Sequence, residues 1–240
     1  AVLSHMDPAR YTPLAVGITR EGQWLCYTGD LSRLEDGTWQ QAADCIPCTP
    51  LVEREAHALL LLDGSGRRLL FDAVFPVLHG KNGEDGTIQG LFELSGIPYV
   101  GCDYCSSACC MDKAITNTLA DSAEICQAKW LSCVAEEYRE IKDSFLKKAE
   151  EYLGYPIFVK PANAGSSVGV SKAVDRASLE KAMEVAFKED RKVVLEEFID
   201  GFEVECAVLG NRDAKAMSVG QIKPANEFYD YEAKYENDNS

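Results

Sequence analysis

Short apolar runs alternate with glycine-rich loops and helix-like segments along much of this chain. The clearest example begins with an apolar run at residues 72–78, which has the composition of a buried strand. A glycine-rich loop follows, then a helix predicted over residues 87–95 and a second strand at residues 97–100. Strands that alternate with helices favour a parallel sheet with crossover helices. The sequence therefore predicts an α/β fold.

The second half of the chain predicts a different arrangement of strands and loops. A strand at residues 157–160 ends in Lys160, and small residues form a loop at positions 163–169. A second strand is predicted at residues 168–173. Asp175 then has the residue type that caps a helix, and apolar residues recur after it at helical spacing. This half predicts an α+β unit.

Turn residues and helical periodicity fix the other predicted elements. Strands are predicted at residues 12–20, 24–27, 58–62, 68–71, 124–131, 193–197, 202–209 and 218–222, and helices at 106–120 and 136–153. Asp63-Gly64 and Asp200-Gly201 are typical of tight turns. We therefore expect two hairpins, one joining residues 58–62 to 68–71 and one joining 193–197 to 202–209.

Charge and hydropathy exclude two classes of partner. The 24 basic residues against 39 acidic ones give a net charge of −15. A field of this sign repels phosphate backbones, so we expect no nucleic-acid partner. No apolar run approaches the roughly 18 residues that a membrane helix needs, so we expect no membrane association. A small anion held by a few local lysines remains compatible with this composition.

The ten cysteines predict reduced thiols rather than a disulfide scaffold. They are about 4% of a chain long enough to bury its own core, and no secretory signal precedes them. We therefore expect a cytoplasmic protein. Two CxxC pairs, Cys45/Cys48 and Cys102/Cys105, lie too far apart for a compact zinc ribbon. A zinc or redox site is the alternative, but packing of small, weakly polar side chains is the favoured interpretation.

Lys160 and the small-residue loop that follows it are suited to bind phosphate. Small side chains let backbone N–H groups and hydroxyls surround phosphate oxygens, and the lysine supplies charge. The segment lacks the Walker pattern, and a strand rather than a helix follows it. The alternative is that residues 165–169 are an ordinary flexible hairpin tip.

Three further polar residues lie at predicted strand ends. Glu196 ends one strand and Glu203 begins the next, where carboxylates could accept hydrogen bonds from ribose hydroxyls; otherwise they belong to a solvated face. His79 begins a loop that contains three glycines and that precedes a helix. Ligands of open α/β sheets bind beyond the strand ends, which makes His79 a candidate contact. The alternative is a polar loop residue.

Several motifs occur together and in order. They are His79-Gly80, the GEDGTIQG segment at residues 83–90, Met111-Asp112-Lys113, Val159-Lys160-Pro161, the GSSVG loop at 165–169 and the FYDYEAKY segment at 228–235. In this order they resemble the D-alanine–D-alanine ligases of the ATP-grasp superfamily. The resemblance extends from about Leu14 to the last residue.

The resemblance implies a fold, a reaction and partners. It implies an open parallel α/β domain at residues 1–108, followed by the central ATP-grasp domain with the start of its lid loop at 109–240. The family joins two D-amino acids with ATP and Mg²⁺ (or Mn²⁺) through a D-acyl phosphate, for peptidoglycan precursor synthesis. A homodimer is expected.

The resemblance also implies roles for individual residues. Those implied to contact ATP are Lys113, Lys160, Ser166 and Ser167 at the phosphates, Lys234 near the γ-phosphate, Glu196 on the nucleotide side and Glu203 at the ribose. His79 matches a histidine near the first D-alanine. Tyr235 matches a tyrosine that closes the lid and contacts Ser166.

Departures from the family pattern leave alternatives open. The glutamate that anchors the first substrate is not found before Ala15, and the transition-state arginine and the metal ligands are expected beyond Ser240. The chain thus resembles a family member shortened at both ends, and we expect no turnover by these 240 residues alone. Lys234-Tyr235 favours peptide-forming members. D-Serine as second substrate, as in some vancomycin-resistance enzymes, and a non-catalytic nucleotide-binding remnant are the alternatives.

Overall fold

The computed structural model describes residues 2–35, 37–41, 43–165 and 167–222. The chain divides into two compact units. One comprises Ala1–Pro76 with Gln89–Cys102, and the other comprises Val77–Ile88 with Asp103–Ser240. The boundary expected near residue 108 stays a prediction.

The helices and strands follow one another in mixed order. The helices are α1 (Val2–His5), α2 (Ser32–Glu35), α3 (Thr87–Ser95), α4 (Tyr104–Met111), α5 (Lys113–Ser122), α6 (Ala135–Leu153) and α7 (Arg176–Glu189), with a 3₁₀ turn at Thr38–Gln41. The strands are β1 (Ala15–Ile18), β2 (Trp24–Tyr27), β3 (Cys45–Pro50), β4 (Ala58–Leu61), β5 (Arg68–Leu70), β6 (Trp130–Val134), β7 (Ile157–Pro161), β8 (Ser171–Ala173), β9 (Lys192–Glu197), β10 (Val204–Leu209) and β11 (Lys215–Gln221).

The first unit contains a five-stranded sheet in the order β1-β2-β3-β4-β5. Each neighbouring pair is antiparallel, and the hairpin predicted between β4 and β5 is confirmed. Cys26, Cys48, Leu59 and Leu61 form its buried cluster. Strand β3 was not predicted, because Pro47 and Pro50 in its sequence are unfavourable in a sheet.

The parallel sheet expected for this half of the chain is wrong for the described strands. Residues 72–78 do not form a strand; only Val74 makes an isolated parallel bridge, to Tyr99. Phe75 and Val77 are 51% and 57% exposed, although the apolar run suggested burial. Short turns rather than helices join β1 to β2 and β4 to β5, which requires antiparallel pairing.

The second unit is built on a four-stranded antiparallel sheet in the order β6-β9-β7-β8. Helices α6 and α7 contribute to the same buried cluster as the inward residues of its strands. This cluster includes Leu146, Leu179, Met183, Ile157, Val159 and Leu195, which are fully buried. The Asp175–Ser178 capping box predicted in part from the sequence starts α7.

Two predictions in this unit are wrong. The helix expected over residues 106–120 is broken at Asp112, which ends α4 and caps α5. The hairpin expected across Asp200-Gly201 does not form, because β9 is already paired on both sides, with β6 and β7. Strand β10 pairs instead with β11 in a separate two-stranded sheet.

Candidate functional site

The alternation of side chains along β7 and β9 separates the core from a polar face. Ile157, Val159 and Leu195 point into the core beneath the helices and are fully buried. Side chains at alternate positions take the opposite face, where Lys160 Nζ lies 2.5 Å from Glu196 Oε2. These two side chains are 28% and 17% exposed, so the ion pair is largely shielded.

Lys113 reaches the same region from the start of α5. Its backbone N–H donates to the carbonyl of Ala162, and its Nζ donates to the carbonyl of Ala164 at 2.7 Å. The side chain therefore spans the beginning of the loop that follows β7. Burial, reinforced by the positive charge of Lys160, lowers the pKa of Lys113 below its usual value.

Lys113 and Lys160 are thus two cations close enough to repel each other on a strongly acidic protein. The carboxylates of Glu196, Asp112 and Asp190 counteract this repulsion at Lys113. An anion placed between the ammonium groups would relieve the repulsion and gain charge-assisted hydrogen bonds. The arrangement is suited to bind phosphate oxygens.

The loop after β7 packs tightly against its neighbours. A Cβ at Gly169 would lie 2.7 Å from Glu189 Cγ, and the φ of 71° also favours glycine there. A Cβ at Gly165 would lie 3.1 Å from the Cα of Gly80. The loop that begins at His79 therefore lies against the loop predicted to bind phosphate.

A network of charged side chains supports both ends of this site. Asp112 is buried and accepts hydrogen bonds from the N–H groups of Ala114 and Ile115, and its other oxygen pairs with Lys192. Burial would raise the pKa of Asp112, but the hydrogen bonds and the Lys192 charge hold it below its usual value.

Asp190 extends this network to the loop after β7, which is predicted to bind phosphate. It accepts from the backbone and side-chain nitrogens of Asn163, at 2.7 and 2.8 Å, and from the backbone N–H of Lys192. Asp112 and Asp190 therefore fix the start of α5 and the start of the loop relative to β9. Sequence reasoning missed these supporting roles, because the partners lie far apart along the chain; the Met-Asp-Lys motif includes Asp112 but does not indicate its contact with Lys192.

Aromatic side chains lie beside the lysines on the same face of the sheet. Phe158 and Phe198 stack with ring centroids 6.1 Å apart, and Lys160 Nζ lies 5.9 Å from the centroid of the Phe158 ring. Asn117 donates to Glu196 at 3.3 Å. This surface offers an apolar platform next to a cationic one, which matches the two halves of a nucleotide.

The predicted site residues fall into three groups. Lys113, Lys160 and Glu196 are brought together, and Ser167 lies in the adjacent turn with a φ of 59°. His79 is exposed, at the start of the loop that touches Gly165. Glu203 is exposed just before β10, outside the four-stranded sheet. Ser166, Lys234 and Tyr235 lie outside the described residues.

None of the cysteines forms a disulfide, but the packing interpretation holds for only some of them. Cys26, Cys48 and Cys133 are buried, whereas Cys105 and Cys110 are exposed, contrary to the general packing interpretation. Across the part of the chain that the structure describes, no group of three or more His, Cys, Asp or Glu is placed to hold a metal ion. None of its described helices is long and apolar enough to cross a membrane.

Comparisons with known proteins match both parts of the chain. A family model described as "D-ala D-ala ligase N-terminus" matches residues 1–102, and one described as "D-ala D-ala ligase C-terminus" matches residues 119–240. The D-alanine–D-alanine ligase of Caldicellulosiruptor bescii is 48% identical over 236 residues, which cover 98% of this chain and 64% of that protein. The one of Acetivibrio thermocellus is 45% identical, covering 98% and 66% respectively. The chain thus spans slightly less than two thirds of these relatives.

Solved structures give the same result. VanG D-Ala:D-Ser ligase from Enterococcus faecalis is 40% identical, with a TM-score of 0.85 over 96% of this chain and 66% of that one. The D-alanine–D-alanine ligase from Coxiella burnetii is 31% identical, with a TM-score of 0.79 over 92% of this chain and 64% of that one.

Proposed function

Because this chain belongs to the D-alanine–D-alanine ligase family, we propose that the intact protein joins two D-alanines with ATP. The reaction proceeds through a D-alanyl phosphate and yields a peptidoglycan precursor. The ATP-grasp class predicted from the sequence is confirmed by the likeness to solved ligases. The names of the curated relatives support D-alanine for both positions.

The observation that carries this proposal is the convergence of Lys113 and Lys160 beside the loop after β7. Two ammonium groups from separate elements repel each other there, on a protein of net charge −15. Such an arrangement is favourable when an anion is bound between the two groups. The aromatic pair Phe158 and Phe198 on the same face would accept the base of a nucleotide.

Different residues of this chain then take different parts in binding ATP. Lys113 and Lys160 hold phosphate oxygens, and Glu196 orients Lys160 through their ion pair. Bound ATP supplies the phosphoryl group that activates the first carboxylate. The close packing at Gly165 and Gly169 would limit the access of water to a phosphate bound there.

The remaining assignments rest on the family resemblance. We propose that His79 lies near the first D-alanine, that Ser166, Ser167 and Lys234 contact the phosphates, and that Tyr235 helps to close the lid over Ser166. Glu203 is proposed to bind the ribose. Because Glu203 is exposed and lies just before the separate β10–β11 hairpin, this role requires the nucleotide to reach that hairpin.

Mg²⁺ or Mn²⁺ is proposed to accompany ATP, with ligands outside the residues described. The described carboxylates near the lysines are engaged in ion pairs and helix capping rather than gathered as a metal cluster. We therefore assign no metal ligand among the residues that the structure describes.

D-Serine is the second candidate for the second substrate. The VanG structure, which is named a D-Ala:D-Ser ligase, is 40% identical to this chain, against 48% for the Caldicellulosiruptor bescii D-alanine ligase. Among the solved structures, VanG is more similar to this chain than the 31% identical D-alanine–D-alanine ligase from Coxiella burnetii, so D-alanine is favoured by the names of the curated relatives alone.

The test is product formation by the protein expressed at the full length of its relatives. With ATP, Mg²⁺ and D-alanine, we expect ADP and D-alanyl-D-alanine in equal amounts, detected by coupled ADP assay and mass spectrometry. Competition with equimolar D-serine decides the second substrate, and predominance of D-alanyl-D-serine would contradict the D-alanine assignment. ATP binding with no dipeptide formed would contradict catalysis and support a nucleotide-binding remnant.

We also propose that the protein acts in the cytoplasm and as a homodimer. Exposed cysteines that form no disulfide, such as Cys110 and Cys126, are compatible with a reducing compartment. The dimer rests on the family resemblance. Sedimentation velocity of the full-length protein would show a dimer, and a single monomeric species at micromolar concentration would contradict it.

A further inference from the structure

Helix α4 carries a pair of neighbouring thiols that the proposed reaction does not use. Cys105 and Cys109 are four residues apart on this helix, so their side chains lie on one face. Cys105 is exposed and Cys109 is half-buried, and a hydrogen bond joins the two thiols. Cys110 is exposed too, but the helical period turns it about 100° away from Cys109.

The spacing of this pair decides which chemistry it supports. Side chains at positions i and i+4 of a helix have Cβ atoms about 5–6 Å apart. A disulfide needs the Cβ atoms roughly 3.5–4.5 Å apart, so closing one here would distort the helix. A single atom inserted between the two sulfurs relieves this constraint, because each sulfur then bonds to the bridge rather than to the other sulfur.

Zinc does not fit this pair. A structural zinc ion takes four ligands, and the described residues contain no group of three or more His, Cys, Asp or Glu suited to a metal ion. The pair offers two sulfurs only. A ligand with two exchangeable positions and a preference for thiols matches it.

We propose that Cys105 and Cys109 form a dithiol site for monosubstituted trivalent arsenic. An arsenoxide, R–As=O, condenses with the two thiols to give R–As(S-Cys)₂ and one water. The As=O bond and two S–H bonds break, two As–S bonds form, and both thiol protons leave on the oxygen. No oxidant or reductant takes part, and the helical backbone between the two residues keeps its conformation.

The neutral state of the Cys109 thiol suits this condensation. Burial and the neighbouring Cys105 raise the pKa of Cys109, which therefore stays a protonated thiol at neutral pH. Cys26 and Cys48 are also neighbours, but they are 1% and 4% exposed within the first sheet and are closed to a bulky reagent. The α4 pair is therefore expected to react first.

The test uses phenylarsine oxide on the native 240-residue chain. We expect one arsenic per chain by intact-mass spectrometry, with loss of two thiols from the native titration with a chromogenic disulfide reagent. A small dithiol should reverse the binding, and an equivalent monothiol should not.

Serine variants locate the site. Cys105→Ser and Cys109→Ser should each weaken capture at least tenfold, while the matched controls Cys110→Ser and Cys102→Ser should bind like the parent. Undiminished capture by Cys109→Ser, or its loss in Cys102→Ser alone, would overturn the assignment. Circular dichroism spectra that match the parent show that each variant is folded, and a variant that fails this criterion is replaced by the alanine substitution at the same position.

Discussion

The ion pair between Asp112 and Lys192 is expected to stabilise the second unit strongly. The side chain of Asp112 is 8% exposed and that of Lys192 is 28% exposed, so removing one charge leaves the other poorly solvated. Asp112→Asn keeps a residue that caps a helix about equally well and removes only the charge. Breaking a buried ion pair lowers the free energy of unfolding by about 3–5 kcal/mol. Because Lys192 is partly exposed, we expect a loss of about 3 kcal/mol for Asp112→Asn. Asp112→Ala also removes the cap and should cost about 1 kcal/mol more.

The assay is urea unfolding of the 240-residue chain, monitored by Trp130 fluorescence. Trp24→Phe and Trp39→Phe in the background leave Trp130, which donates to Asp121 in the second unit, as the only reporter among the chain's three tryptophans. The double variant Asp112→Asn/Lys192→Met should lose less than the sum of the single losses. An Asp112→Asn variant within 0.5 kcal/mol of the background would refute the reasoning, as would strict additivity.

The Asp112–Lys192 ion pair makes the stability of the second unit depend on pH. The folded-state pKa of Asp112 lies below its unfolded value. Its stabilisation is therefore complete above the unfolded pKa of about 3.9 and is lost as the pH falls through the folded pKa. Parent and Asp112→Asn stabilities should converge in that acidic range.

Three further outcomes are expected. Lys160→Met should lower the affinity for both ATP and inorganic triphosphate by about one to two decades, whereas Glu203→Gln should lower the affinity for ATP alone. Calorimetry that showed parental ATP affinity for Lys160→Met would contradict the phosphate site. Because the pKa of Lys113 is lowered, the affinity for triphosphate should fall as the pH rises, already below the usual lysine pKa of about 10.4. Lys113→Arg should remove this fall. A pH-independent affinity of the parent would contradict the expectation. Thiol titration should count ten groups after denaturation. In the native protein, Cys48 and Cys133 should react slowly, because burial raises their pKa values to about 11 and about 12. Uniform reactivity of all the thiols would contradict this expectation.

Elements with strong local signals were predicted well. The helix at Thr87–Ser95 has the predicted bounds, since Gly96, with a φ of 65°, ends it. Helix α7 follows from the Asp175 cap and its apolar period. Strand β7 and the lysine at its end also lie where the pattern placed them. In these cases the information is contained within a few neighbouring residues.

Predictions that depended on distant partners failed more often. Nothing in residues 72–78 distinguishes an exposed connecting segment from a buried strand, because burial is decided by what packs against it. The pairing of β9 with β6 and β7 required strands about 60 and 35 residues earlier, respectively, and the adjacent Asp200-Gly201 turn suggested the wrong partner. Helix α4 was merged with α5 because Asp112 was interpreted as part of a motif rather than as a cap.

In the candidate site, too, some residues were predicted from the sequence and other contacts were not. The resemblance to the family assigned Lys113, Lys160 and Glu196, and the structure brings these three together. The Asp112–Lys192 and Asp190–Asn163 contacts join residues 80 and 27 positions apart, and no local pattern predicts them. Supporting contacts of this kind become visible only when the strands are placed in register.

Protection of lysines from acylation tests the central claim most directly. The full-length protein is treated with limiting amine-reactive reagent, with and without saturating Mg²⁺-ATP, and each lysine is quantified by peptide mass spectrometry. Bound phosphates should suppress labelling of Lys113 and Lys160 and leave Lys147, which is 71% exposed on α6, unchanged. Equal labelling of Lys113 and Lys160 with and without nucleotide, under conditions where ATP binding is measured independently, would contradict the assignment of the phosphate site.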